Sequence, residues 1–399
     1  MTPAADVPKP RPSLWAVAAL AALVALGLGT AAAAGARGGD FVHLWLGGHA
    51  WITEGAAALY APEVHRELLA QAHSGELPPE LWAGRNDRFG AFFYPPPAAL
   101  AYAPLGMLPV VIAGTVHAVL SFLAVLVGGV MAGRWLGVGS VPALLVVLTT
   151  PAFFHNHVLG QNGGWVFALL ALAGLGLGRR RDLWAGLALG VLVCKPSWLL
   201  AVAWVPLCMG RWRTVAGMAG SSVGISLGSM LFLGVEPWRK WLAMAADLAA
   251  LSRAGDYPLD LQYSLWGLGR RVMGLGTGGD LLGGALCLIV AAVTVQVVGN
   301  PRVGLARKLA LGFCAAALVN PHLHPYDITG GVFAVLALWR IPEGRQFAGG
   351  VLLIHHGGQV MEGLSGTGWA VPPATVGLFV AWAALWVRGC RTPSPSTAV

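Results

Sequence analysis

Residues 14–44 read LWAVAALAALVALGLGTAAAAGARGGDFVHL, and the run from Leu14 to Ala34 decides the fold. An uncharged apolar run of this kind spans a bilayer as one helix, since about 20 residues rising about 1.5 Å each cross the hydrocarbon. Its alanine-rich end could mimic a processing site. We read it instead as an uncleaved anchor, because chemistry follows at once: two glycines, the carboxylate of Asp40, and Phe41. The bland reading of Asp40 is a cap on a helix end, where Asp is common.

The rest of the chain has the same character. Of 399 residues, 56% are hydrophobic and 11% charged, with a mean hydropathy of +0.68. A soluble domain carries about 25% charge, so the expectation is an all-α polytopic membrane protein. The net charge of +8 does not point to nucleic acid, because the arginines fall in short loops, where they orient spans. Cys194, Cys208, Cys287, Cys314 and Cys390 form no CxxC pair. They read as small packing residues, with no metal site and no disulfide framework.

Apolar runs lie near 14–34, 110–132, 138–154, 162–178, 183–208, 214–234, 280–299, 306–320, 327–339, 346–361 and 371–388. Several are shorter than an upright span needs, which predicts tilted or broken helices. Basic segments at the N-terminus, 133–135, 179–182, 210–213, 300–308, 340–345 and 388–391 belong in the cytoplasm. That placement requires 183–208 to enter and leave on one side, broken near CKPSW. About 10–12 transmembrane helices are expected in one domain covering 1–399, with both termini cytoplasmic and a disordered tail over 389–399.

The segments left for the outer face hold nearly all the unusual polar residues. The first, about 35–96, predicts a helix from Pro62 to His73 lying at the interface. After FFYPPP, which contains Tyr94, the piece to Pro109 is too short to cross and reads as a helix tucked at the bilayer edge. HNHVLGQNGG at 155–164 and NPHLHPYD at 320–327 are outer turns. The other long outer loop, 235–279, begins as an amphipathic headgroup-level helix.

Four stretches in this order resemble glycosyltransferase family 87: GGDFVHLWLGGHAWITEGAAALY, FFYPPPAALAYAPLGMLP, GQNGGWVFALLALAGLGLGRRRDLWAGLALGVLVCKPSWLL and VNPHLHPYD. One departure is that Asn162 follows Gln161 directly, where the family usually has an aliphatic residue between. The resemblance implies a GT-C-type membrane fold, a polyprenyl-phosphate mannose donor, a glycolipid or glycan acceptor, no cofactor or metal, and an outward-facing site in the cell membrane. It also implies inverting transfer with the carboxylate after the first span as base, which is Asp40. The chemistry fits, because a sugar hydroxyl is a weak nucleophile and a carboxylate in reach can take its proton. Asp87 is the rival base.

The departing phosphate then needs donors. His322 and His324, spaced i and i+2 in a proline-flanked turn, can both face one cavity. Lys195, in the broken helix pair, is a further phosphate candidate: a charge in an apolar run is costly and usually has a partner, against a plain reading as a side chain snorkelling to the nearer interface. Arg85 and Arg88 are further phosphate candidates, against a plain reading as solvated loop charges. Tyr94, His155, His157, Gln161, Asn162 and Gln262 are candidate cavity residues, with Gln262 matching a polar family stretch before a Leu-x-Gly pattern. The competing class is a transporter or lipid flippase, which should carry polar residues through mid-membrane and two related halves. Lys195 is nearly alone at depth and no halves are visible, which favours the enzyme.

Overall fold

A computed structural model of the protein describes residues 13–35, 39–72, 90–254, 262–341, 344–365 and 371–391. The regular elements among them are all helical. The first five α-helices are α1 (Leu14–Gly35), α2 (Phe41–Glu54), α3 (Pro62–Ala72), α4 (Pro96–Gly106) and α5 (Val110–Leu136). Then come α6 (Ser140–Thr149), α7 (Pro151–Leu159), α8 (Gly163–Gly178), α9 (Asp182–Gly190), α10 (Pro196–Cys208) and α11 (Trp212–Leu233). The last seven are α12 (Glu236–Ala254), α13 (Leu265–Met273), α14 (Thr277–Gly299), α15 (Leu305–Val319), α16 (Thr329–Trp339), α17 (Gly344–Ser365) and α18 (Val371–Arg391).

Length and composition alone qualify α1, α5, α11 and α14 to cross a membrane, with α6 and α7 a fifth candidate as a broken pair bent by 61°. Shorter apolar helices are α8, Asp182–Cys194, α10, α16 and Thr375–Val387 within α18. The chain is an all-α polytopic membrane protein. The run at 138–154 is not one straight helix: Pro151 opens α7 and cannot continue the preceding helix smoothly. HNHVL is therefore helical to Leu159, and only Gly160 to Asn162 form the turn. The break at CKPSW is present as expected: a 3-10 turn over Val191–Cys194, then Lys195, then Pro196 at the first position of α10.

Helix α15 from Leu309 to Leu318 and helix α16 from Thr329 to Leu338 are apolar on nearly every side and buried, as a helix at the centre of a bundle must be. Small residues bring the helices together, because in lipid close van der Waals approach replaces a hydrophobic drive. At Gly186 a Cβ would stand 2.1 Å from the Thr214 carbonyl, and at Gly217 one would stand 2.4 Å from that of Leu183. Helices α9 and α11 thus touch through backbone. At the amino-terminal part, Gly48 of α2 lies against the Tyr102 carbonyl of α4. Trp45 Nε1 donates to the Leu108 carbonyl at 3.0 Å. The helix α2 itself was not foreseen in the first long loop.

The two ends of the bundle differ in chemistry. Helix α8 leaves Asn162 and delivers Arg179 about 24 Å away, at about 1.5 Å per residue. At that far end Trp135 of α5 packs on Gly174, Arg340 packs on Gly137, and Arg211 pairs with Asp182 at 3.2 Å. Among the described residues the basic segments at 133–135, 179–182 and 210–213 and Arg340 therefore gather at one end, and Asn162 with its neighbours occupies the other.

Candidate active site

Asp40 stands at the N-cap position of α2, yet its side chain makes no capping bond and its backbone is already helical (φ −66°, ψ −13°). The carboxylate is used elsewhere: Gln161 Nε2 donates to Asp40 Oδ2 at 2.9 Å. Gly39 makes this possible. It sits at φ +46°, and a Cβ there would stand 2.9 Å from the Leu159 carbonyl, so only glycine lets the chain turn against the end of α7. Phe41, fully buried, stacks on His117 of α5 at 4.7 Å and fixes the start of α2.

The Gly160–Asn162 turn is clamped from within. Gly160 ends α7 in the left-handed conformation (φ 66°). Asn156 then secures both sides: its carbonyl accepts from Gln161 N at 2.9 Å, its Oδ1 from Gly164 N at 3.2 Å, and its Nδ2 donates to Ser121 Oγ at 3.0 Å. Tyr94 OH donates to Gln161 Oε1 at 3.1 Å, and the Tyr94 carbonyl accepts from Tyr60 OH at 2.7 Å. Burial holds the Tyr94 phenol well above its usual pKa, so it stays a proton donor. With its oxygen taken by Tyr94, the Gln161 amide turns its N–H to Asp40. Tyr94→Phe is expected to lower turnover about tenfold, the loss of one buried hydrogen bond, at an unchanged melting temperature to within a few degrees; steady-state kinetics beside a thermal melt would check this.

The next residue reaches the other way. Asn162 Oδ1 accepts from Lys195 Nζ at 2.8 Å, and Lys195 Nζ also donates to Asp327 Oδ1 at 2.5 Å. Lys195 lies over the Tyr326 ring, 5.2 Å from its centroid, and His324 stacks on the other ring partner, Tyr326, at 5.1 Å. The Tyr326 carbonyl presses on Gly163, where a Cβ would be 2.2 Å away, so the 325–327 turn is seated on the start of α8. Burial raises the Asp327 carboxyl above its usual range, and Lys195 pulls it back down. Burial lowers His322, with Asp327 opposing, so His322 is neutral near pH 7 and donates through one nitrogen only.

Asp40, Tyr94, Gln161, Asn162 and Lys195 thus form one connected cluster, joined to the turn that carries His322 and His324. Gln262 is buried beside that turn: Tyr263 N donates to the Leu323 carbonyl at 2.8 Å, and among the described residues Gln262 Oε1 has no hydrogen-bond partner. Two sequence candidates point elsewhere. His157 is buried against Phe122 in a tilted ring contact, and among the described residues neither of its ring nitrogens has a hydrogen-bond partner. His155 lies near enough to His355 for its charge to act there. Arg85, Asp87 and Arg88 lie outside the described residues. Sequence reasoning missed Asp327 and Asn156. The unmet charge of Lys195 was the signal that could have led to Asp327, the last residue of the quoted NPHLHPYD turn.

The half-buried carboxylate of Asp40 and the shared ammonium of Lys195 thus lie together at one end of a polytopic helical bundle. A family model described as glycosyltransferase family 87 matches residues 92–323, and the chain belongs to that family. It is therefore a membrane glycosyltransferase, acting with a sugar donor and an acceptor at a lipid bilayer, and the transporter alternative falls. The match takes in Tyr94, Gln161, Asn162, Lys195, Gln262 and His322, and stops short of Asp40 on one side and of His324 and Asp327 on the other. Among curated proteins and solved structures, none matches the chain.

Proposed function

We propose that the enzyme moves mannose from a polyprenyl phosphate to a hydroxyl of an extracytoplasmic glycolipid or glycan, with inversion, and that Asp40 is the base. The observation that carries this is a dipeptide: Gln161 holds the carboxylate of Asp40, and Asn162 holds the ammonium of Lys195. A proton acceptor and a cation are thereby held by adjacent residues, and displacement at an anomeric carbon uses one of each.

The steps balance as follows. The acceptor hydroxyl gives its proton to Asp40 while its oxygen bonds to the anomeric carbon from the face opposite the phosphate. The bond from that carbon to the phosphate oxygen breaks, and the electron pair leaves with the phosphate, whose charge grows from a diester's single negative to a monoester's. Lys195 meets the new charge, and His322 and His324 donate hydrogen bonds to it. Gln262 faces the acceptor side. The gathering of basic loops at the opposite end supports a cytoplasmic location for that end and for both termini, with the site at the outer headgroup level of the cell membrane.

The test uses membranes with and without the protein. Label from polyprenyl-phosphate [14C]mannose is expected to enter an endogenous acceptor only when the protein is present, and in sealed right-side-out vesicles the acceptor should be accessible from outside. Incorporation from a sugar nucleotide alone, with none from the lipid donor, would overturn the reading.

A further inference from the structure

We infer that Asp327 is a positioning residue for the donor: it fixes the direction in which Lys195 presents its ammonium. The inference rests on the reading that a polyprenyl-phosphate sugar binds at this site, and it concerns a residue outside the stretch matched by the family model. Asp327 is 1% exposed and the Lys195 side chain 13%. The carboxylate is thus sealed inside, while the ammonium keeps one open side.

A lysine ammonium has three N–H donors arranged about one nitrogen. Asp327 Oδ1 takes one and Asn162 Oδ1 a second. Among the described residues no third acceptor receives it; the ammonium lies over the Tyr326 ring and stays partly exposed, so one N–H is left for a ligand. The two bonds come from elements far apart in sequence, the α7–α8 turn and the turn before α16, so a flexible side chain is held at two fixed points. With one point removed, the stem regains rotamer freedom and the third N–H loses its direction.

The anchor is itself rigid. Asp327 N donates to the His324 carbonyl at 2.9 Å, and the Tyr326 carbonyl rests on Gly163. A pair kept only for stability would be served as well by two apolar side chains, since burying charge gains little over packing. This pair instead lies where one oriented donor has work to do. Asp327 touches no reacting atom and acts through Lys195.

The experiment measures the dissociation constant of a short-chain polyprenyl-phosphate mannose with the purified full chain in nanodiscs, together with the melting temperature. The variants are Asp327→Asn, Lys195→Met, the double Lys195→Met/Asp327→Asn, and Asp40→Asn. Asp327→Asn is expected to weaken binding about tenfold, the usual scale for one charge-assisted bond, with the folded state retained. The double should bind no more weakly than Lys195→Met alone, because both changes remove the same oriented donor. A folded Asp327→Asn that binds like the wild type overturns the inference, and so do losses that multiply in the double. A lower melting temperature with unchanged affinity has the same meaning, since it marks a purely structural residue. Should Asp327→Asn fail to fold, Lys195→Met against the double decides by the same rule of equal or multiplied losses. Asp40→Asn separates the two claims: donor binding by the wild type and by Asp40→Asn, with Asp327→Asn unaffected, sinks the inference and leaves the reading. No binding by the wild type sinks both.

Discussion

Asp40→Asn is expected to reduce sugar transfer by about 10²–10⁴-fold, the range lost with a positioned general base, while leaving the protein folded. The substitution keeps shape and one of the two oxygens, so Gln161 Nε2 can still donate to it as it does at 2.9 Å in the native site. What disappears is the capacity to take a proton. The carboxylate plays no part in capping α2, so no helix end is released by the change. The measurement is label transfer from polyprenyl-phosphate mannose in membranes matched for protein level. Full activity in a folded Asp40→Asn protein would remove Asp40 from the mechanism.

Lys195→Met should cost about 3–5 kcal/mol of stability, because it leaves a buried carboxylate without its counter-charge. The double variant with Asp327→Asn should recover most of that loss, since two neutral side chains of similar size carry no such penalty. The single variant also acquires a pH signature. Burial raises the folded-state pKa of Asp327, and Lys195 is the influence opposing that rise. Without Lys195 the folded state binds the Asp327 proton more tightly than the unfolded state, so stability must fall as pH rises. It should be greatest below about pH 4, the ordinary carboxyl range, and decline above it. Thermal melts of Lys195→Met from acid to neutral pH would check this, and a profile parallel to that of the wild type would count against a buried, unpaired Asp327.

How far the sequence could be read follows from which forces act locally. Hydropathy marks spans directly, because a helix in lipid must satisfy its backbone within itself, and the runs from 110–132 to 371–388 each contain or overlap a helix. Pro151 divided one of them, and α2 was hidden by its glycines and mixed aromatic face. Lys195 was legible as a charge in need of a partner. Its partner was not, since Asp327 lies 132 positions away, and an Asp before a helix reads as an ordinary helix start. Asn156, between two histidines that drew attention, holds the critical turn through three bonds of its backbone and amide. Spacing within HNH says nothing of that. His155 and His157 were grouped with the site by proximity in sequence, but on a helix, residues two apart point to different sides.

The Gln161–Asn162 dipeptide ties the carboxylate of Asp40 and the ammonium of Lys195, which stand on distant elements, to one short piece of backbone. A substitution that shifts this turn is therefore felt at both groups at once.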